Sequence, residues 1–93
     1  MKNSVVVQDI SVWWLYIVRC ANNSFYTGIT TNICHRLLLH NSGKGARYTR
    51  MHGPVEIVYF EIFFNRSAAS KRESFIKAQS RAAKLQLVAQ LSY

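Results

Sequence analysis

The 93-residue chain is poor in acidic side chains, and this scarcity limits what it can bind. Four Asp and Glu stand against twelve Lys and Arg, which gives a formal net charge of +8. Positive charge at this density favours a polyanionic partner, because Lys and Arg gain affinity by neutralising phosphates. We expect nucleic acid, with an acidic membrane surface as the less favoured alternative. A ribosomal or RNA-coating protein is equally basic, so charge alone does not separate these classes.

Cysteine and long apolar runs are also scarce. Cys20 and Cys34 are the only cysteines and lie far from C-x-x-C spacing, while His35 and His40 follow no close cysteine pair. Neither a disulfide framework nor a zinc site is indicated. The amino-terminal segment has a run of only three valines, shorter than a signal peptide or the roughly 20 residues that span a bilayer. We therefore expect a cytoplasmic protein with reduced cysteines and no membrane partner.

The chain does contain an ordered series of strand and helix patterns. Residues 1–11 carry little periodicity and are predicted to form a flexible arm, and residues 12–90 to form one domain, because the whole chain is short for even one. The predicted elements are strands 13–19, 25–29 and 55–63 and helices from 32 to 40, from 65 or 67 to 78, and from 81 to 90. The order ββαβαα predicts an α+β fold with a small antiparallel or mixed sheet and helices packed around it.

The connections carry their own signals. The pair Asn22-Asn23 suits the left-handed backbone of a tight turn between the first two strands. Residues 44–53 are polar and basic and are predicted to be a loop that binds a phosphate backbone. Two helices have predicted apolar faces, formed by Ile33, Leu37 and Leu38 in the first and by Ala82, Leu85, Val88 and Ala89 in the last.

Four side chains on neighbouring elements form a candidate catalytic group. Tyr16 and Tyr26 lie on the two strands of the predicted hairpin, and Gly28 beside them permits close approach of a backbone or ligand. Arg36 and His40 are four residues apart and therefore share a helix face. Each has an ordinary alternative: the tyrosines as packing residues, Arg36 as a surface residue and His40 as a helix-end cation.

Glu73 is the fifth candidate. It is the only acid after Glu61 and lies on or near the inward face of its helix, among basic residues. A lone carboxylate in positive surroundings suits a single Mg²⁺ that keeps waters and substrate phosphate as its other ligands. The alternative is a surface carboxylate paired with Lys77 one helical turn away.

Taken as a spaced set, these residues resemble the GIY-YIG nuclease superfamily, and in particular its small stand-alone, YhbQ-like members. Residues 14–16 stand where the first tripeptide of the family lies and residues 26–28 where the second lies. Arg36, His40 and Glu73 match the positions of the catalytic arginine, a His or Tyr, and the metal-binding glutamate. The phrases 26–32, 43–50 and 71–73 look like those of the stand-alone group, and the resemblance covers about residues 13–88.

The resemblance implies a three-stranded antiparallel sheet flanked by helices and hydrolysis of nucleic-acid phosphodiester bonds, DNA rather than RNA. It implies that Glu73 holds one Mg²⁺ or Mn²⁺, that Arg36 stabilises the phosphate, and that one tyrosine takes the proton of the attacking water. We favour Tyr16 as this base, with Tyr26 positioning and His40 orienting a tyrosine or phosphate. The residues expected to contact nucleic acid are Gly28, Lys44, Arg47, Tyr48, Arg50, Lys71 and Arg72.

The chain departs from the family pattern in three ways. Trp14-Leu15 replaces the first Gly-Ile, which changes strand packing. Ile29 stands where several superfamily nucleases have a lysine that lowers the pKa of a tyrosine, so Arg47, Arg50 or His35 is the expected substitute. We expect no appended DNA-binding domain, and therefore expect the target to be chosen by the basic loop, by a partner protein, or by the shape of branched, damaged or single-stranded nucleic acid. The competing functions are a binding module with little or no turnover and a basic RNA-associated structural protein.

Overall fold

Three strands form one antiparallel sheet with the first strand in the middle. In the computed structural model, which describes residues 12–90, β1 spans Trp13–Cys20, β2 spans Phe25–Thr30 and β3 spans Val55–Phe63. The strand order is β2-β1-β3. The predicted antiparallel sheet with helices is confirmed, and β1 is the central strand. The predicted arm, residues 1–11, lies outside the described residues.

Four helices pack around this sheet: α1 Ile33–Asn41, α2 Arg47–His52, α3 Arg66–Lys77 and α4 Arg81–Ala89. Three of them begin where a side chain accepts a hydrogen bond from the third residue of the helix, which satisfies a backbone donor left free by the helix geometry. Asn32 accepts from the His35 backbone at 3.0 Å, Asn65 from Ala68 at 2.8 Å and Ser80 from Ala83 at 3.1 Å. The sequence therefore determines these three starts locally.

The prediction of a loop throughout residues 44–53 is wrong, because Arg47–His52 form the short helix α2. No side-chain hydrogen bond caps α2, so tertiary contacts fix it instead. The Ala21 backbone N–H donates to the His52 carbonyl at 2.8 Å, and Tyr48 Oη donates to Ser24 Oγ at 2.6 Å. Both contacts join α2 to the turn between β1 and β2. The element order is thus ββααβαα.

That turn forms as its asparagines predict. Asn23 has φ of 67°, in the left-handed region that asparagine tolerates better than most residues. The side chain of Asn22 accepts from the Ser24 backbone N–H at 3.1 Å, so the turn is closed by its own residues.

Central strand β1 sends alternate side chains to opposite faces of the sheet. Leu15 and Ile17 are fully buried in a cluster with Tyr59, Ile76 of α3 and Val88 of α4, which we call the apolar cluster. On the other face a second buried cluster is formed by Tyr16, Val18, Cys20 and Val55, with Ile33 and Leu37 of α1 packed against it. One strand therefore builds both layers.

Edge strand β3 contributes to both faces because it carries a β-bulge. Tyr59 pairs with Ile17, whereas Ile57 pairs with Val18, so Val58 is an extra residue. Tyr59 consequently packs in the apolar cluster while Ile57 packs on the opposite face. A bulge inserts one unpaired residue and thereby changes the side to which later side chains point.

Two predicted helix faces need correction. Leu38 of α1 is 69% exposed and Leu85 of α4 is 46% exposed, so neither faces the core as predicted. In α4 the residues that pack against the core are Leu87 and Val88. Contact with β3, rather than the longest apolar stripe, decides which side of the helix faces the sheet. Within residues 12–90, no helix is both long and apolar enough to cross a membrane.

Candidate active site

Tyr16 lies at the centre of the sheet and is 3% exposed. In the β1–β2 register it is paired with Gly28, and a Cβ on Gly28 would meet Tyr16 Oη at 2.5 Å. A contact this short is impossible without displacement, so the absence of a side chain at Gly28 makes room for the phenol. The predicted close approach is that of Tyr16, and contact of Gly28 with nucleic acid stays a prediction.

A buried chain of hydrogen bonds begins at the Tyr16 hydroxyl. Tyr16 Oη lies 2.9 Å from His40 Nε2, and His40 Nδ1 lies 2.6 Å from Thr49 Oγ1. Thr49 Oγ1 in turn lies 2.9 Å from the Ala46 carbonyl oxygen. His40 is 2% exposed and Thr49 fully buried, so water does not compete for these contacts. We call this series the Tyr–His–Thr chain.

The direction of each bond in the chain follows from its last member. A carbonyl oxygen only accepts, so we assign the single hydroxyl proton of Thr49 to the Ala46 carbonyl, which also accepts from the Arg50 backbone N–H at 2.9 Å. With this assignment Thr49 Oγ1 accepts from His40 Nδ1–H, which leaves Nε2 of a neutral imidazole as an acceptor. Tyr16 therefore donates its proton to His40 Nε2.

Electrostatics agree with this assignment. Burial, followed by the nearby Arg36 guanidinium, lowers the pKa of His40 below its usual 6.5, so the imidazole is neutral at pH 7. Burial raises the pKa of Tyr16 well above its usual 10, with Tyr26 and Glu73 adding to the rise and Arg36 opposing it. Tyr16 thus keeps its proton in the resting protein, and its proton acceptor is in place.

Tyr26 stands beside this chain. Its ring meets His40 edge-on with centroids 5.5 Å apart and lies nearly parallel to Tyr48 at 6.4 Å. It pairs with Val18, two residues from Tyr16 on the same face of the sheet. Tyr26 is half-buried, so its phenol is the more accessible of the two.

Arg36 and Glu73 approach the same centre from two helices. Arg36 lowers the pKa of Tyr16 and Glu73 raises it. Arg36 also lowers the pKa of His40. The Glu73 side chain is 19% exposed and lies 3.3 Å from Lys77 Nζ, so the alternative pairing considered for it exists. Arg36 is half-buried on the face of α1 that it shares with His40. Tyr16, Tyr26 and His40 are thus in direct contact, and Arg36 and Glu73 lie near enough for their charges to act on Tyr16.

Glu73 is the described acid that could hold a single hard cation. Glu56 is bound by Arg19, and Glu61 accepts from Arg72 at 2.9 Å and from Tyr59. Among the described acids, Glu73 alone is not held by an arginine. No group of three or more His, Cys, Asp or Glu that could hold a metal occurs in residues 12–90. A lone carboxylate matches Mg²⁺, which keeps several waters when bound through one or two carboxylates.

The residues predicted to contact nucleic acid fall into two groups. Those near α2 are Lys44, Arg47, Tyr48 and Arg50, all exposed. On α3, Lys71 is exposed, whereas Arg72 donates to Glu61 through Nε at 2.9 Å and lies 5.4 Å from the Phe75 ring centroid. Arg72 therefore has a packing role whether or not it also meets a phosphate.

The structure places other groups beside the Tyr16 phenol than the expected replacements for the family lysine, whose role stays a prediction. Arg47, Arg50 and His35 are exposed, and none of them is among the groups acting on the Tyr16 phenol. The groups that do act on this phenol are His40, which is hydrogen-bonded to its hydroxyl, and Arg36, whose positive charge opposes the rise of its pKa. Sequence reasoning missed Thr49 and Gly45; the only signal for them was their place in the phrase 43–50, which resembles the stand-alone group.

Fold and site together define a small nuclease-like domain, in which two tyrosines, an arginine and a carboxylate meet on one antiparallel sheet. The chain belongs to the GIY-YIG family, since the family model described as the GIY-YIG catalytic domain matches residues 12–86. The resemblance stated from the motifs is thereby confirmed.

The relatives are proteins of similar size. A UPF0213 protein of Desulfotalea psychrophila is 54% identical over 81 residues, covering 86% of this chain and 74% of that protein. A UPF0213 protein of Clostridium perfringens is 48% identical over 79 residues, covering 85% of each. The solution NMR structure of a UPF0213 protein from Bacillus halodurans matches with a TM-score of 0.57 and 40% identity, covering 86% of this chain and 85% of the other.

Proposed function

We propose that this protein is a divalent-metal-dependent endonuclease that hydrolyses phosphodiester bonds of nucleic acid, DNA in preference to RNA. The Tyr–His–Thr chain is the observation that carries this proposal. A buried phenol hydrogen-bonded to a neutral imidazole is a ready pair for moving a proton. The net charge of +8 supplies attraction to the phosphate backbone, and membership of the GIY-YIG family supports the reaction class.

The proton of the attacking water is passed on in one concerted step. Water gives its proton to Tyr16 Oη while Tyr16 gives its own proton to His40 Nε2. The oxygen of the water forms the new bond to phosphorus, and the bond to the leaving oxygen breaks. Because no free phenolate accumulates, the raised pKa of Tyr16 does not prevent the step, and His40 replaces the lysine missing at Ile29.

Arg36 and Glu73 complete the arrangement. The planar guanidinium of Arg36 is suited to two hydrogen bonds with phosphate oxygens as negative charge grows on them. Glu73 would hold the Mg²⁺ or Mn²⁺, which supplies charge neutralisation at the leaving oxygen when bound. Tyr26, half-buried between His40 and Tyr48, positions the water or phosphate.

A binding module without turnover is the second candidate. The burial of Tyr16 favours it, because a general base must touch the water that it activates. This candidate predicts the same affinity for nucleic acid and the same steep fall of affinity with salt. It differs only in giving no cleavage with any metal.

A cleavage assay tests the proposal on plasmid, single-stranded and branched DNA and on RNA, with Mg²⁺ or Mn²⁺. Substituting Arg36→Ala should lower the rate by about 10²–10³-fold, and Glu73→Ala by about 100-fold or more. The matched controls are Arg19→Ala and Glu56→Ala, since these residues pair with each other at the surface, and both variants should retain wild-type activity. Cleavage that survives Glu73→Ala would sink the assignment, and binding without cleavage in wild type would establish the module.

A further inference from the structure

Thr49 contacts none of the predicted catalytic groups except His40, yet it decides which nitrogen of that ring carries the proton. It is fully buried, and its hydroxyl proton is committed to the Ala46 carbonyl. With its proton on that bond, Thr49 Oγ1 is the acceptor for His40 Nδ1–H, at 2.6 Å. We propose that Thr49 is a positioning residue that holds His40 in the Nδ1–H tautomer and so makes Nε2 the acceptor for the proton of Tyr16.

The backbone around Thr49 is shaped for this contact. A Cβ on Gly45 would lie 2.8 Å from His40 Cα and closer still to Nδ1, so only glycine lets the segment before α2 lie against the imidazole. At the other end, α2 is joined to the β1–β2 turn through the Ala21–His52 and Tyr48–Ser24 hydrogen bonds. Thr49 is thus held from both sides.

The other ionisable groups around His40 do not determine its tautomer. Tyr16 and Tyr26 face it from β1 and β2, and Arg36 acts on it from its own helix. A tyrosine hydroxyl accepts or donates equally well, so Tyr16 would accept from Nε2–H if Thr49 did not claim Nδ1. Without the Thr49 hydroxyl, both tautomers become available and the acceptor for the Tyr16 proton is lost in one of them.

The inference rests on the proposed function for its catalytic consequence, but its structural part is tested without substrate. Side-chain ¹⁵N NMR of His40 distinguishes the two tautomers directly. Wild type and Thr49→Ser should show Nδ1–H, whereas Thr49→Val, which keeps the shape and removes the hydroxyl, should gain Nε2–H. Thr27→Val is the matched control, because Thr27 is also a buried threonine and pairs with Ile17 on the other face; it should leave the His40 signals unchanged.

Cleavage then tests the consequence. Thr49→Val should lower kcat by about 10- to 100-fold, as loss of an orienting partner of a catalytic imidazole commonly does, with KM little changed. Thr49→Ser should restore the rate. Wild type with Nε2–H, or Thr49→Val with Nδ1–H retained or full activity, would overturn the proposal. If Thr49→Val does not fold, the wild-type tautomer and the Thr49→Ser rate still decide. If wild type cleaves nothing, the proposed function fails while the tautomer measurement still judges Thr49.

Discussion

The two faces of the sheet use the same central strand in opposite ways. Leu15 and Ile17 enter the apolar cluster, where stability comes from removing carbon from water. Tyr16, between them in sequence, enters the Tyr–His–Thr chain, where each member depends on a hydrogen-bond partner. A change on the apolar face loses packing in proportion to the atoms removed. A change in the chain leaves the next polar atom buried and unpaired, and it also removes a path for the proton.

The same substitution on the two faces gives the largest expected contrast. Tyr16→Phe removes the hydroxyl proposed to take the proton of the attacking water and should lower cleavage by about 10²–10⁴-fold. Tyr59→Phe removes a hydroxyl that donates only to Glu61 in the apolar layer, and it should retain wild-type cleavage. Single-turnover rates at saturating metal measure both. Equal losses in the two variants would show that the faces do not divide fold from chemistry.

Packing on the apolar face is broken by Ile76→Ala. Ile76 is fully buried, so its truncation should lower the free energy of unfolding by about 2–5 kcal/mol, while the folded fraction keeps its cleavage rate. Leu85→Ala in α4 is the control, because Leu85 is 46% exposed and should cost much less. Chemical denaturation measures both, and similar losses would contradict the observed placement of α4.

Lowering the pH should have the smallest of the expected effects on the contrast between the two faces. Cleavage needs neutral His40, so the rate should fall about tenfold per pH unit below the pKa of His40, which burial and Arg36 set below 6.5. Unfolded His40 takes up a proton at higher pH than folded His40, so this contribution to stability is complete above 6.5 and is lost as the pH falls.

Matched histidine variants assign that acid limb in the pH–rate profile of each protein. His40→Gln should abolish it together with most activity, and His35→Gln, at an exposed position of the same helix, should leave it in place. An acid limb that persists without change in His40→Gln would assign it to another group.

Much of this structure was predictable from local patterns. Three helix starts follow from Asn32, Asn65 and Ser80, and alternation places Tyr16 opposite Leu15 and Ile17. Predictions failed where tertiary contacts decide. The short helix α2 has no side-chain cap and follows two glycines, so no local sequence signal predicts it. The helical spacing of apolar residues places Leu85, and not Leu87, on the inward face of α4, yet Leu87 packs against the core.

The residues that form the site were predictable, but the hydrogen bonds between them were not. Spacing identifies Tyr16, Tyr26, Arg36, His40 and Glu73 as a set. The partner of His40 lies nine residues further on, across two glycines, in a segment predicted to be a loop. A lone threonine there has no pattern of its own, and its role follows only from the direction of the hydrogen bonds.

The β-bulge at Val58 makes β3 two half-strands joined out of phase. Before the bulge, Val55 and Ile57 pack on the face of Val18. After it, Tyr59 and Phe63 pack on the face of Ile17. Deleting Val58 would restore a regular ladder in which Ile57 and Tyr59 keep their partners and their faces. Deleting a residue farther along the strand, such as Phe60, would act on side chains as a frameshift acts on codons and would turn part of the strand inside out. Deletion scanning along β3 should therefore find that loss of Val58 is tolerated better than loss of Phe60, which pairs with Tyr16.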